Sequence, residues 1–201
     1  MVEKSRWVEI TEQNPDHSDW YIERFRTMAA DGNDLDGEAR LVDVMSPRSG
    51  RILDAGCGPG RVGGRLHELG HQVVGVDVDP VLIAAAEEDH PGPTWLAGDL
   101  AELDLPAAGI SDPFDVIVVA GNVMTFLAPS TRGEVLRRLG MHLGDEGRIL
   151  IGFGAGRGYE FDEFTSDVEA AGLRFELELS TWDVRPFGEH DTFLVAVLSA
   201  R

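Results

Sequence analysis

Arg51-Ile52-Leu53-Asp54-Ala55-Gly56-Cys57-Gly58-Pro59-Gly60-Arg61 joins a short apolar run, a carboxylate near its end and three glycines at alternate positions. The apolar run predicts a strand, and the glycines predict a sharp turn at its C-terminal edge. Backbone without a Cβ can turn there and let a ligand approach closely. A helix beginning at about Arg61 would point unpaired N–H groups at the same spot.

Outward from this stretch the chain alternates. Strands are expected at Arg51 to Ala55, Gln72 to Asp77, Pro93 to Ala97, Phe114 to Ala120 and Arg148 to Phe153. Helices are expected between them at Arg61 to Leu69, Val81 to Asp89 and Thr131 to Leu143, and after the fifth strand at Phe161 to Ala171. Gly70 stops the first of these, and Asp79-Pro80 supplies a capping side chain and a first-turn proline to the second. The run Val116-Ile117-Val118-Val119 reads as a strand buried on both faces. Two last strands, Leu173 to Trp182 and Thr192 to Leu198, are joined through Pro186-Phe187-Gly188, a hairpin signal. Strands alternating with helices predict an α/β fold, a mostly parallel, doubly wound sheet with helices on both faces. Ahead of it, His17 to Ala30 and Gly37 to Met45 read as helices after a polar lead.

Gly58-Pro59-Gly60-Arg61-Val62-Gly63 matches the dinucleotide pattern G-x-G-x-x-G, and Asp77 lies 19 residues after Gly58, near the spacing of a ribose-binding acid. Two features oppose that reading. Gly56 already makes the turn after the strand, and Asp54 would set a negative charge beside a pyrophosphate. A ligand carrying a sulfonium and an α-amino group reverses the sign of that interaction.

Asp54-x-Gly56-x-Gly58-x-Gly60 resembles the first motif of the class I S-adenosylmethionine-dependent methyltransferases. The resemblance covers about Gly50 to Leu198 and implies a Rossmann-like seven-stranded sheet whose last strand inserts antiparallel beside the fifth. It implies one compact S-adenosylmethionine-binding domain over residues 49–201; residues 1–48 fall outside the resemblance and are expected to form a helical cap over the site. It implies a donor site at Asp54, Gly56, Cys57 and Gly58; at Asp77 with Val78, the carboxylate accepting from ribose hydroxyls; and at Gly98, Asp99 and Leu100 around the adenine. Asn122, after the fourth strand, would face the donor's methionine part, though it also suits a turn. Asp54 would act through the amino group or by holding the glycine loop. The activity implied is methyl transfer to a small-molecule acceptor. A dinucleotide-dependent oxidoreductase and a non-catalytic donor-binding protein on the same fold are the alternatives.

The acceptor site carries no motif. Tyr21 on the second expected helix and Arg157 in the loop Gly152-Phe153-Gly154-Ala155-Gly156-Arg157-Gly158-Tyr159 are its candidates, the glycines suiting a mobile lid. Trp182 flanks the last hairpin. His17 and His190 could serve as bases by chemistry alone, and no catalytic residue is assigned.

Composition narrows the setting. A chain of 201 residues with 43% hydrophobic content supports one substantial core. Its 17 basic and 36 acidic residues leave a net charge of −19, which repels a phosphate backbone, so no nucleic-acid partner is expected. No apolar run approaches the roughly 20 residues that span a bilayer, and the charged N-terminus lacks a signal-peptide core. The single cysteine, Cys57, suits a reducing cytoplasm and reads as a small loop side chain. His67-Glu68-Leu69-Gly70-His71 matches the H-E-x-x-H of zinc proteases, but Gly70 should break the helix between the two imidazoles, and no metal is expected.

Overall fold

The computed structural model describes residues 2–201. Three helices come first: α1 (Arg6–Gln13), α2 (His17–Ala30) and α3 (Gly37–Met45). The alternating part follows as β1 (Arg51–Ala55), α4 (Arg61–Glu68), β2 (Gln72–Asp77), α5 (Pro80–Asp89), β3 (Thr94–Ala97), β4 (Phe114–Val119), α6 (Val123–Phe126), α7 (Arg132–Met141), β5 (Leu143–Gly154), α8 (Phe161–Ala170), β6 (Leu173–Leu179) and β7 (Phe193–Ala200). The seven strands form one sheet in the order β3-β2-β1-β4-β5-β7-β6. β1 to β5 run parallel, and β7 inserts antiparallel between β5 and β6.

Each face of the sheet is buried. Leu53, Ile117, Ile149, Phe153 and Phe164 pack on one side, with α7 and α8; Ile52, Val116, Val118 and Leu150 pack on the other with Val42 of α3 and Leu66 of α4. Both faces of β4 are therefore covered, which is why its apolar run does not alternate. The direction of winding reverses between β1 and β4. Open α/β sheets hold ligands beyond the carboxyl ends of their strands at such a switch point.

Several boundaries differ from expectation. The polar lead contains α1, begun by Ser5, whose hydroxyl accepts from the Val8 N–H. Trp7 and Ile10 give it an apolar side too short to stand out as a period. The helix expected to reach Leu143 stops at Met141, and β5 starts at Leu143, because Leu143 pairs with Phe114 ahead of a register shift. β6 ends at Leu179, short of Trp182. Trp182 lies instead against Gly152, where an added Cβ would overlap the indole. In α2 the buried residues are Ser18 and Ile22, while Trp20 is 56% exposed.

The zinc-like pattern is divided as Gly70 predicts. His67 is on α4, Gly70 has φ +96°, and His71 precedes β2, where its Nε2 lies 2.9 Å from Asp43 Oδ1 of α3. The N-terminal helices dock on the sheet's helices through polar contacts. Arg61 of α4 pairs with both oxygens of Glu38 at 2.9 and 2.7 Å, and Arg26 of α2 pairs with Asp89 of α5.

Candidate donor-binding and acceptor site

A cleft of about 920 Å³, counted with its open mouth, lies over the carboxyl ends of β1, β2 and β4. Its floor follows from the glycine turn. Gly56 (φ +80°) and Gly58 (φ +55°) adopt left-handed backbone, and a Cβ on Gly56 would overlap the Val123 side chain. The N–H groups of Gly56 and Cys57 both donate to the Val76 carbonyl at the end of β2, which fixes the turn to the neighbouring strand.

Asp54 is 1% exposed and accepts the N–H of Gly63 at 2.8 Å. Gly63 is the third residue of α4, so this carboxylate occupies an unpaired donor at the helix N-terminus. A pyrophosphate would need that same donor. Asp77 is also buried, contrary to the exposed strand end its position suggests. One of its oxygens accepts the Gly58 N–H at 2.8 Å and the other the Asp79 N–H at 3.0 Å. Burial pushes the Asp54 carboxyl up to about 7 and the Asp77 carboxyl up to about 6, despite these bonds. Asp99 also lines the cleft, and its side chain accepts the Ala101 N–H at 2.9 Å.

These carboxylates make the β1–β3 half of the cleft acidic. Arg61 also lines it, but Glu38 already holds its guanidinium. Carboxylates whose ionisation is opposed by burial gain from a cationic ligand, and an anionic one would add to the repulsion. The residues present thus fit a sulfonium carrying an α-amino group.

The β4 half is different. Val123, Phe126 and Leu127 form its wall, and Trp7 of α1 with Tyr21 and Phe25 of α2 roof the cleft. The rings meet edge to face: Trp7 on Tyr21 at 5.2 Å, Trp7 on Phe126 at 5.8 Å and Tyr21 on Phe25 at 5.0 Å between centroids. The Trp7 indole N–H donates to Asp79 Oδ2 at 2.8 Å, and the Ser18 hydroxyl donates to the same oxygen. Asp79 Oδ1 accepts the Val81 N–H and caps α5. One buried carboxylate therefore secures α1 and α2 beside the end of β2.

Asp54, Gly56, Cys57, Gly58, Asp77, Val78, Asp99, Leu100 and Tyr21 all border this cleft. Gly98, Asn122 and Arg157 do not. The Gly98 N–H is bonded to the Asp77 carbonyl. Asn122 takes the turn role: it has φ +65°, and its side-chain oxygen accepts the Gly154 N–H at 2.8 Å. Arg157 is exposed and outside the cleft. The glycine loop does not reach the cleft either. Tyr159 is fully buried, stacked on Phe153, with its hydroxyl donating to Asp167 at 2.7 Å and Arg132 held 4.1 Å over its ring. His190 is exposed, and His17 is wedged against Trp7 and Trp20. Trp7, Phe126 and Leu127 were missing from the sequence reading. The spacing of Ser5 and Trp7 at the start of α1 is the only local sign of the first, and nothing local marks the other two.

Residues 52–147 match the family model described as a methyltransferase domain. The magnesium-protoporphyrin O-methyltransferase of Rhodobacter capsulatus is 30% identical over 140 residues, 67% of this chain and 57% of that protein. The chain thus spans little more than half of that curated relative's length. A crystal structure of a TehB-like SAM-dependent methyltransferase from Corynebacterium glutamicum is 48% identical, with a TM-score of 0.89, 94% of this chain and 100% of that one being covered. Magnesium protoporphyrin IX methyltransferase from Synechocystis, solved with bound SAM, shares the fold at 18% identity and a TM-score of 0.61, covering 81% of this chain and 76% of that one. With the glycine turn, the buried strand-end carboxylates and the inserted antiparallel β7, these similarities establish the family: the chain belongs to the class I S-adenosylmethionine-dependent methyltransferases.

Proposed function

We propose that this protein methylates a small-molecule acceptor. The observation that carries the reading is a single cleft with a carboxylate-lined half, an apolar half and a roof of the chain's own helices. Bound S-adenosylmethionine supplies a methyl carbon activated by a sulfonium, open to in-line attack by an acceptor lone pair. Asp54, Asp77 and Asp99, with the backbone of Gly56, Cys57 and Gly58, would hold it, and Val78 and Leu100 would supply apolar contacts. Gly98 and Asn122 act behind them, Gly98 bracing the end of β2 through its backbone N–H and Asn122 the end of β5 through its side-chain oxygen.

The remaining work of the chain is alignment and exclusion of water. Orientation of this kind lowers a barrier by roughly 7–11 kcal/mol. Trp7, Tyr21 and Phe25 close the cleft from above, which is the cap role we assign to residues 1–48. Burial raises the Tyr21 phenol above its ordinary value, so it keeps its proton at neutral pH and orients without acting as a base. Arg157 has no part in this reading. None of the described helices is long and apolar enough to cross a membrane. The charge of −19 supports a partner other than nucleic acid, and the single cysteine supports a cytoplasmic setting.

Titration calorimetry with S-adenosylhomocysteine and with NAD tests the donor, and binding of the former alone is expected. Labelled methyl groups should then appear in the small-molecule fraction of a cell extract. Preferential NAD binding, or label confined to macromolecules, would overturn the reading.

A further inference from the structure

The two halves of the cleft differ in what they offer a ligand, and this difference bears on the acceptor. The charged side chains on the cleft are Asp54, Asp77, Asp99 and Arg61. The carboxylates sit at or just beyond the ends of β1, β2 and β3. Arg61 is spent: Glu38 takes both terminal nitrogens, the Leu35 carbonyl takes one of them again, and the guanidinium lies 5.4 Å over the Phe25 ring. Its positive charge is therefore neutralised on the spot.

Trp7 completes the other half. Its N–H donates to Asp79, which does not line the cleft, so the hydrogen-bonding edge of the indole is already satisfied. The rest of the ring meets Tyr21 and Phe126 edge to face, and Val123 and Leu127 extend the same wall. An apolar wall gives an anion neither charge nor hydrogen bonds in exchange for the water it would lose.

We propose that the acceptor is a small, uncharged nucleophile with an apolar body, its lone pair on nitrogen or sulfur, and that Trp7 is the residue that selects it. This rests on the methyltransferase reading above. A carboxylate, phosphate or other oxyanion acceptor would lose its water in the apolar half and face the carboxylates of the other, with no free cation among the described residues of the cleft to hold it. A neutral amine, aromatic heterocycle or thioether gains from burial against Trp7 and Phe126. Its lone pair is available without loss of a proton, which matches the protonated Tyr21.

The test measures binding to the full chain at pH 8, first of S-adenosylhomocysteine alone and then, on the saturated protein, of two probes of similar size: neutral quinoline and anionic 1-naphthoate. Quinoline is expected to bind at least about tenfold more tightly than naphthoate. Trp7→Ala should weaken quinoline about tenfold or more, the loss expected for one large apolar contact, while Trp7→Phe retains most of it. S-adenosylhomocysteine affinity in both variants should stay within about threefold of the parent, which also shows that they fold. Naphthoate binding as tightly as quinoline, or Trp7→Ala leaving quinoline unaffected, overturns the proposal and leaves the methyltransferase reading standing. Failure of the parent to bind S-adenosylhomocysteine overturns both.

Discussion

The floor and the roof of the cleft are built on different principles. On the floor each carboxylate is fixed by a backbone N–H from a residue close to it along the chain or in the turn after the adjoining strand: Gly63 for Asp54, Gly58 and Asp79 for Asp77, Ala101 for Asp99. The roof is held by side chains from distant segments, with Trp7 and Ser18 converging on Asp79 and Trp7 meeting Phe126. Main-chain bonds demand a particular backbone path, which leaves glycines as its trace. Side-chain convergence demands only apolar bulk, which many residues supply. The floor should therefore be intolerant of small changes that the roof absorbs.

The sharpest break in this contrast is Gly56→Val. A side chain there must overlap Val123 and hold φ near +80°, so stability should fall by about 3 kcal/mol or more and S-adenosylhomocysteine binding should vanish. Gly156→Ala, at φ +70° with nothing near its Cβ, should cost only about 1 kcal/mol and leave binding intact. Thermal unfolding and calorimetry of the pair separate clash from backbone strain.

Asp77→Ala should weaken donor binding by about 1–3 kcal/mol. It should also lower stability, because the Gly58 and Asp79 N–H groups lose a buried acceptor. Unchanged affinity in a folded variant would make Asp77 a purely structural member of the floor.

The floor's carboxylates also predict a pH dependence. In the fold Asp54 titrates at about 7 and Asp77 at about 6, both above the value of about 4 in an unfolded chain. Each binds its proton more tightly when folded, so their contribution to stability is complete below about pH 4 and is lost as pH rises through 6 and then 7. A cationic donor favours the ionised forms, so its affinity should rise about tenfold between roughly pH 5.5 and 8. Calorimetry across that range checks the sign, and a flat profile would argue against contact with either carboxylate.

Asp79→Ala probes the link between floor and roof. It removes the α5 cap and the anchor of Trp7 and Ser18, for an expected loss of about 1–2 kcal/mol. Donor affinity should change less than in Asp77→Ala. Arg157→Ala, exposed and outside the cleft, should change stability by less than about 0.5 kcal/mol and leave both ligands unaffected.

The sequence by itself determined the order of the strands and of the longer helices, the glycine turn and the acids at the strand ends, because each is a local requirement of backbone path or periodicity. Gly70 and Asp79-Pro80 marked their boundaries for the same reason. What only the tertiary structure decided was which side of the sheet each segment joins and what meets across the cleft. Asn122 serves a neighbouring strand's N–H, Trp182 fills the space over Gly152, and the glycine loop is tethered through Tyr159. Trp7 reads as part of a polar lead, and only the fold brings it onto Asp79. An apolar side chain in a short helix carries no local mark of its partner, since burial is non-directional and is satisfied by whichever surface the rest of the fold brings near.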